Sequence, residues 1–266
     1  MTQSSTVSGR RETALITGAS SGFGYEFAKL FAGDGYNLVL VARSEDKLTE
    51  LARDVEARYG VSAHVLPRDL SQPNAPDEIY DELQRQSVNV DVLVNNAGFG
   101  TRGFFAQLDL ASELQEVQVN IASLTHLTRL FLPDMVSRKR GRILNVASMA
   151  AFVPGPFMAV YYASKAYILS FSEALSSELA GTGVTVTALC PGPVRTGFQA
   201  RAEMQHARLV RGNLMTAERV AQIGYDGLMK GKRVVVPGFQ NRVTTIALPF
   251  IPRQLLLRIV RNLHKD

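Results

Sequence analysis

The chain alternates short runs of apolar, mostly β-branched residues with longer stretches of helical period, beginning at Thr13. A continuous run such as Leu38-Val39-Leu40-Val41 is typical of a strand buried on both faces of a parallel sheet. The pattern predicts seven strands, at about residues 13–17, 37–42, 62–67, 91–95, 141–147, 183–190 and 232–236. It predicts helices between them at about residues 22–33, 45–59, 76–86, 111–137, 159–180 and 217–229.

A series of strands and helices in this order predicts an α/β fold with a doubly wound parallel sheet and right-handed crossovers. The chain has no internal repeat, no low-complexity tract and no linker long enough to separate two domains. We therefore expect a single domain from about residue 11 to the end of the chain.

Composition narrows the class of protein further. The 266 residues include 29 Lys and Arg against 24 Asp and Glu, a net charge of +5 that forms only one basic run, Arg138-Lys139-Arg140, so we expect no nucleic-acid partner. Cys190 is the single cysteine, and no histidine lies at metal-ligand spacing, which excludes a disulfide scaffold and predicts no metal site. Without an apolar run of spanning length or a signal-peptide core, we expect a cytoplasmic protein.

Turn and polar residues follow four of the predicted strands. Ligands of doubly wound sheets bind outside the carboxyl ends of the strands, so these junctions are expected to lie along one edge and form one site. The junction segments are Thr17-Gly18-Ala19-Ser20-Ser21-Gly22-Phe23-Gly24, Asn95-Asn96-Ala97-Gly98, Ser148 and Pro191-Gly192-Pro193-Val194.

The first junction carries three glycines, Gly18, Gly22 and Gly24. Because glycine has no Cβ, such a turn allows the backbone to approach a pyrophosphate closely at the positive end of the following helix. A strand-to-helix turn that binds nothing has the same pattern, so this motif alone leaves both interpretations open.

Tyr161 and Lys165 are four residues apart in a predicted helix and therefore share one face. A neighbouring ammonium is expected to lower the pKa of a phenol and make it a general acid or base. Tyr162 is an alternative to Tyr161 by geometry alone. Ser148, at the end of a strand, either stabilises developing negative charge on a substrate oxygen or is simply a turn residue.

The glycine turn, the Asn95-Asn96-Ala97-Gly98 segment, Asn120, Ser148 and Tyr161-x-x-x-Lys165 occur in an order and at separations that resemble the short-chain dehydrogenase/reductase family, over about residues 12–236. The resemblance implies a Rossmann fold and a nicotinamide cofactor, and it selects Tyr161 over Tyr162. The catalytic residues that it implies are Asn120, Ser148, Tyr161 and Lys165. In the family, Asn120 would help to hold a water that leads from Lys165 toward solvent.

The end of the second strand, Val41-Ala42-Arg43-Ser44, bears on the choice of cofactor. Ala42 stands where NAD-preferring relatives carry an acidic residue, and Arg43 can recruit a 2′-phosphate, so we expect NADP(H). Arg43 is otherwise an exposed loop cation, and Asp69 is either a contact to the adenine amino group or a turn residue. The cofactor-binding residues implied by the resemblance are Gly18, Ser20, Ser21, Gly22, Phe23, Gly24, Arg43, Ser44, Asp69, Leu70, Asn96, Ala97, Gly98, Tyr161, Lys165, Pro191, Gly192, Val194 and Thr196.

With the resemblance, the chain divides into a disordered lead (1–11), a dinucleotide-binding catalytic domain (12–240) and a C-terminal extension (241–266). The family places a substrate lid at about residues 197–215. Several apolar residues are expected at the mouth of the crevice and favour a hydrophobic carbonyl substrate, although each also fits an ordinary core position. They are Phe99, Phe104, Phe152, Phe157 and Met158.

The C-terminal extension ends in a predicted amphipathic helix. Its apolar face is expected to pack beside the substrate cleft, to join a subunit interface or to lie on an anionic membrane surface. The apolar residues are Leu255, Leu256, Ile259, Val260 and Leu263, and the basic residues on the opposite side are Arg258, Arg261 and Lys265.

Together these features predict an NADPH-dependent oxidoreductase of hydrophobic carbonyls or secondary alcohols, with Tyr161 as general acid/base. Within the enzyme class, the alternative is a 3-oxoacyl reductase acting on thioesters or β-keto esters. A catalytically silent NADP(H) sensor is the alternative from another class, but it would not need all four catalytic residues. The family habit predicts a homo-dimer or homo-tetramer that pairs through the long helices 111–137 and 159–180.

Overall fold

The computed structural model describes residues 10–195 and 214–264 and contains a central sheet of seven parallel strands. These strands are β1 (Thr13–Thr17), β2 (Asn37–Ala42), β3 (Ala63–Pro67), β4 (Val92–Asn95), β5 (Gly141–Val146), β6 (Val184–Leu189) and β9 (Val234–Val235). A separate pair is formed by β7 (Val194–Arg195) and β8 (Met215–Thr216). The order in the main sheet is β3-β2-β1-β4-β5-β6-β9.

Helices cover both faces of this sheet. They are α1 (Gly22–Gly33), α2 (Glu45–Tyr59), α3 (Ala75–Arg85), α4 (Leu110–Val117), α5 (Leu124–Ser137), α6 (Ala159–Glu178), α7 (Ala217–Met229), α8 (Phe239–Ala247) and α9 (Arg253–Leu263). None of the helices in the described ranges is long and apolar enough to cross a bilayer.

Adjacent residues of β1 point to opposite faces of the sheet and both are buried. Ile16 packs with Phe27 and Phe31 of α1 on one face, and Leu15 packs with Phe131 of α5 on the other. The sheet therefore has a core on each side, as the continuous apolar runs predicted. The strand order reverses between β1 and β4, which places the ligand crevice of a doubly wound sheet at their carboxyl ends.

The predicted seven-stranded doubly wound fold is confirmed, with differences in detail. The predicted helix 111–137 is interrupted by a π-helical segment, Gln118–Ser123, that contains Asn120. The predicted strand 232–236 pairs only through Val234 and Val235, because it is an edge strand that meets the last two residues of β6. The proposed lead lies almost entirely outside the described residues, as do most of the lid segment and Thr196.

Candidate active site

The glycine turn between β1 and α1 has a backbone that requires glycine. Gly18 and Gly22 have φ of +66° and +58°, in the left-handed region, and a Cβ on Gly24 would clash with the carbonyl oxygen of Gly18. The Ser21 side chain makes no capping hydrogen bond, and the first turn of α1 contains no acidic residue. Backbone N–H groups at the positive end of α1 are thus available to an anion, which fits the phosphates of a dinucleotide.

The segment after β4 holds the glycine turn in place. The Asn96 Nδ2 donates to the carbonyl oxygens of Thr17 (2.8 Å) and Gly18 (3.3 Å). The backbone N–H groups of Asn96 and Ala97 donate to the Thr17 Oγ1 at 2.9 and 3.0 Å. Asn96 thus acts here by tying β4 to β1, while the Asn95 side chain is directed to Asn145 in the core.

A single cavity of about 650 Å³ connects the glycine turn to the C-terminal extension. Among the predicted catalytic and cofactor-binding residues, those that line it are Gly18, Ser20, Ser21, Phe23, Arg43, Ser44, Asp69, Leu70, Asn96, Ala97, Gly98, Ser148, Tyr161, Lys165, Pro191, Gly192 and Val194. Gly22 and Gly24 shape the turn without lining the cavity, and Asn120 lies behind its wall. The structure therefore brings the four strand-end junctions together, as predicted.

Ser148 and Tyr161 lie together where β5 ends and α6 begins. The Tyr161 hydroxyl is hydrogen-bonded to the Ser148 side chain. The Ser148 Oγ also accepts from the backbone N–H of Ala150 at 3.1 Å, which orients its side chain. Two hydroxyl groups are thus directed at the same part of the cavity, where a substrate oxygen would receive a hydrogen bond from each.

Lys165 lies one turn of α6 beyond Tyr161 and is buried. Its Nζ donates to the carbonyl oxygen of Val146 at 2.8 Å and lies 5.7 Å from the centroid of the Tyr161 ring. Burial lowers the pKa of Lys165 to about 8, against the opposing effect of the Glu116 carboxylate. The ammonium is therefore less strongly favoured here than in water.

The protonation state of Tyr161 differs from the sequence-based expectation. Burial raises its pKa to about 12, and the hydrogen bond from Ser148 opposes this only in part. The expected net lowering of the Tyr161 pKa is wrong for this structure, because the effect of burial is larger than that of the neighbouring polar groups. Tyr161 is thus a neutral phenol at pH 7, which is the proton-donating state that carbonyl reduction requires.

Asn120 holds the wall behind the catalytic residues. Its Nδ2 donates to the Phe99 carbonyl (2.9 Å) and to the Ser164 Oγ (3.0 Å), and its Oδ1 accepts from the Phe99 N–H at 3.1 Å. The side chain thereby connects the π-helical segment to α6 and to the chain after β4. A π-bulge of this kind is frequent at functional sites; the water that Asn120 is implied to hold stays a prediction.

Tyr162, the alternative to Tyr161 by sequence spacing, and the single cysteine, Cys190, do not take part in proton transfer. The Tyr162 hydroxyl forms a hydrogen bond with the His264 Nε2 at 2.7 Å and is buried away from Ser148. Cys190 is buried, and burial raises the pKa of its thiol to about 12, so it remains protonated and unreactive. Tyr161 is therefore the tyrosine that the structure places beside Ser148.

The apolar part of the cavity differs from the predicted one. Phe99 and Met158 line it, but Phe104 and Phe157 pack on each other with centroids 5.1 Å apart, and Phe152 belongs to a separate core cluster. The prediction is wrong for these last three, since spacing in the chain does not show which way a loop aromatic points.

The C-terminal extension supplies much of the apolar wall. Helix α9 contributes Leu256, Ile259, Val260 and Leu263 to the lining, and Leu256 and Val260 are buried against Met158 and Tyr162. The Tyr162–His264 hydrogen bond, together with one from Arg102 to the His264 carbonyl at 2.6 Å, holds the end of the chain in place. Of the three predicted uses, this face of α9 packs beside the cleft.

The far end of the cavity lies beyond β2 and β3. Ala42 and Arg43 line it, and the Arg43 side chain is exposed at its rim. The neighbouring Arg68 is engaged in ion pairs with Glu78 and Glu82. One carboxylate oxygen of Asp69 accepts from the Ser71 N–H at 3.0 Å, so Asp69 both orders its own turn and lines the cavity.

A parallel doubly wound sheet with a glycine turn at its switch point defines an α/β dinucleotide-binding protein. Within that class, the family description "short chain dehydrogenase" matches residues 12–207. The chain belongs to the short-chain dehydrogenase/reductase family.

Curated relatives and solved structures agree with this assignment. A very-long-chain 3-oxoacyl-CoA reductase of Phaeosphaeria nodorum is 40% identical over 179 residues, covering 65% of this chain but only 52% of that reductase. The ketoacyl reductase HetN of Nostoc is 35% identical over 235 residues, 88% of this chain and 80% of that protein. A short-chain dehydrogenase from Sphingobium yanoikuyae, solved with NADPH, superposes with a TM-score of 0.82 at 31% identity, over 90% of this chain and 92% of that one.

Proposed function

We propose that the protein is an NADP(H)-dependent oxidoreductase that interconverts a carbonyl and a secondary alcohol on a hydrophobic substrate. One observation carries this proposal: a single cavity joins the phosphate-binding turn to Ser148, Tyr161 and Lys165 and continues into an apolar wall. The similar structure from Sphingobium yanoikuyae, solved with NADPH, supports the choice of cofactor.

Each site residue has a task that follows from its position. A bound nicotinamide supplies or accepts the hydride. Tyr161, protonated at neutral pH, donates its proton to the carbonyl oxygen as negative charge develops there. Ser148 donates a hydrogen bond to the same oxygen, and the Lys165 ammonium stabilises the tyrosinate that remains. In the direction of alcohol oxidation, Tyr161 would accept the hydroxyl proton of the substrate as tyrosinate, while Ser148 and the Lys165 ammonium keep their protons.

Arg43 supports a preference for the phosphorylated cofactor. It lies at the rim of the cavity beyond β2, where its exposed guanidinium can approach a 2′-phosphate from solvent, and Ala42 presents no carboxylate to repel that phosphate. The backbone N–H groups of the glycine turn bind the pyrophosphate in this proposal.

We propose 3-oxoacyl thioesters or β-keto esters as the substrate class. The names of the relatives support it, and so does the apolar wall formed by Leu256, Ile259, Val260 and Leu263. An acyl chain would bury its methylenes there, and each is worth about 0.8 kcal/mol, or roughly fourfold in affinity.

Turnover against chain length tests the substrate class. We expect kcat/KM for NADPH-dependent reduction of 3-oxoacyl esters to rise about two- to fourfold per added methylene until the cavity is full. A short hydrophilic ketone is the matched control and should be reduced poorly. An equal or higher kcat/KM for the hydrophilic ketone would contradict a hydrophobic substrate, and absence of turnover with every carbonyl would contradict the oxidoreductase assignment.

We propose that the chain forms homo-dimers or homo-tetramers, and helix α4 supports this. Its apolar residues Leu110 and Leu114 are 66% and 60% exposed, whereas Glu113 and Glu116 face the interior. Tyr167 of α6 is also exposed. An outward apolar stripe on a helix is typical of a surface covered by a second subunit.

A peripheral membrane contact is also proposed, through α8 and the short 3₁₀ turn Leu248–Phe250 that follows it, rather than through α9. Residues Phe239, Val243, Ile246 and Phe250 recur at helical spacing, and the two phenylalanines are 80% and 84% exposed. Residues 239–264 include four arginines and no acidic residue. This combination fits the headgroups of an anionic bilayer. The same segment lines the cavity through Thr244 and Leu248, so a lipid-like substrate would have a short path to the site.

Vesicle sedimentation tests this contact. Wild-type protein should co-sediment with phosphatidylcholine vesicles that contain phosphatidylglycerol, less with phosphatidylcholine alone and less at high salt. Phe239→Ser with Phe250→Ser should reduce the bound fraction severalfold, whereas Phe105→Ser, a change at another exposed phenylalanine, should not. An equal loss of vesicle binding in Phe105→Ser would contradict a specific contact through Phe239 and Phe250. A lower mass by light scattering in the Phe239→Ser, Phe250→Ser variant would instead make these residues a subunit contact.

A further inference from the structure

Helix α4 buries its acidic residues. Glu116 is 0% exposed and Glu113 is 5% exposed, and they are the buried residues of this helix. Burying a carboxylate is costly unless its charge is paired or its oxygens are hydrogen-bonded. Neither glutamate belongs to the catalytic residues predicted from sequence, so their position needs a physical reason.

Thr101 is the polar partner of both carboxyl groups. Its N–H donates to the Glu116 Oε2 at 3.0 Å, and its hydroxyl lies 3.1 Å from the same oxygen. The hydroxyl also contacts the Glu113 Oε1. It has one proton and can donate to only one of the two carboxylates at a time. The Glu116 Oε1 is buried without a hydrogen-bond partner among the described residues.

Short-range geometry connects Glu116 to the catalytic pair. Residues 98–101 form a short stretch of chain that ends in Thr101. A Cβ on its first residue, Gly98, would lie 3.5 Å from the Lys165 Nζ. A Cβ on Gly100 would meet the Tyr161 ring. This stretch thus passes directly along Lys165 and Tyr161 before Thr101 binds Glu116. The Glu116 carboxylate raises the pKa of Lys165, and Lys165 lowers the pKa of Glu116. The same carboxylate also raises the pKa of Tyr161.

We propose that Glu116 is a positioning residue for the reaction, whose buried carboxylate is the counter-charge that keeps Lys165 protonated beside Tyr161. This rests on the proposed function, in which the ammonium stabilises the tyrosinate left after proton transfer. Among residues 10–195 and 214–264, the other groups that contact Lys165 or affect its pKa carry no negative charge: they are the Val146 carbonyl, the neutral Tyr161 and the protonated Cys190 thiol. Glu116 is itself faced by Glu113 and Thr101.

The pKa values of Glu116 and Lys165 determine at which pH the loss of the Glu116 carboxylate should lower activity. Burial raises the pKa of Glu116 to about 7, so its charge is mostly absent at pH 6 and mostly present at pH 8. Burial lowers the pKa of Lys165 to about 8, and the Glu116 carboxylate opposes that fall. Without the carboxylate, Lys165 should lose its proton at a lower pH. The effect of Glu116 should therefore be small at pH 6 and large above pH 8.

The test is the pH dependence of kcat/KM for NADPH-dependent reduction in wild-type protein and in Glu116→Gln. We expect the alkaline loss of activity to begin about one pH unit lower in the variant, with activity near wild type at pH 6 and about tenfold lower at pH 8.5. Glu113→Gln is the matched control: it removes the other carboxylate around Thr101 and should leave the alkaline limb in place. Glu116→Met, which is apolar and of similar volume, should move the alkaline loss of activity to lower pH, as Glu116→Gln does.

A readout that needs no turnover separates this proposal from the proposed function. In protein labelled with ¹³C-lysine, the resonance that disappears in Lys165→Arg should titrate at lower pH in Glu116→Gln or Glu116→Met than in wild type. An unchanged Lys165 titration would overturn the role of Glu116, as would a loss of activity that is equal at every pH. If Lys165 titrates at lower pH in the Glu116 variants than in wild type, but the wild-type protein reduces no carbonyl, only the proposed function is overturned.

Discussion

Replacing Tyr161 with Phe should lower NADPH-dependent turnover by about 10²- to 10⁴-fold, the range that general acid–base catalysis supplies. The change removes only the hydroxyl that hydrogen-bonds to Ser148 and would protonate the substrate oxygen. The ring and its packing stay, so the affinity for NADPH should change by no more than a few fold. Turnover and cofactor fluorescence, measured on the same sample, check both parts.

Tyr162→Phe is the matched control for that experiment. Tyr162 is adjacent in sequence, but its hydroxyl binds His264 and holds the end of the C-terminal extension. Loss of that hydrogen bond should lower the free energy of unfolding by about 1 kcal/mol and leave most of the turnover. Retained turnover in Tyr161→Phe, or an equal loss in Tyr162→Phe, would reassign the proton donor. Such a result would not affect the family assignment, which rests on the match over residues 12–207.

The second large effect concerns the choice between NADPH and NADH. Changing Ala42→Asp together with Arg43→Ala should lower the ratio of kcat/KM for NADPH to that for NADH by about 10- to 100-fold. A charge-assisted hydrogen bond from Arg43 to the 2′-phosphate is worth about 1.5–3 kcal/mol. The introduced carboxylate would repel that phosphate and accept hydrogen bonds from the ribose hydroxyls of NADH.

Arg68→Ala is the comparison that isolates Arg43. Arg68 also lines this end of the cavity, but its guanidinium is already paired with Glu78 and Glu82. Its removal should therefore change the NADPH/NADH ratio much less. If the Ala42/Arg43 variant keeps the wild-type ratio, Arg43 is only an exposed loop cation, and the cofactor preference must come from elsewhere in the site.

Both experiments test residues that the sequence predicts to lie in the site, and these predictions depend on local patterns in the chain. A strand buried on both faces must be continuously apolar, so the strands of the sheet are visible in the sequence. In a doubly wound sheet the residues after those strands meet at one edge, so the sequence alone predicts that Gly18, Asn96, Ser148 and Pro191 lie together. The one-turn spacing of Tyr161 and Lys165 likewise depends only on helix geometry.

Contacts between segments that are far apart in the chain are harder to predict from the sequence. No motif in the sequence marks Glu113 and Glu116 as buried residues. In the structure α4 turns both glutamates toward Thr101 and leaves Leu110 and Leu114 exposed. An apolar stripe predicts that one face of a helix is buried, but it does not show whether that face packs against its own domain or against another molecule.

The sequence by itself determined the family, the doubly wound sheet and the residues brought to its edge, because these follow from local periodicity and from motifs at fixed separations. Only the tertiary structure decided what surrounds them: α9 as the apolar wall, Tyr162 bound to His264, a protonated Tyr161 and a buried Glu116 bound by Thr101. Burial and charge pairing arise between segments far apart in the chain. They set the pKa values and the shape of the cavity, and a single sequence does not encode them in any local pattern.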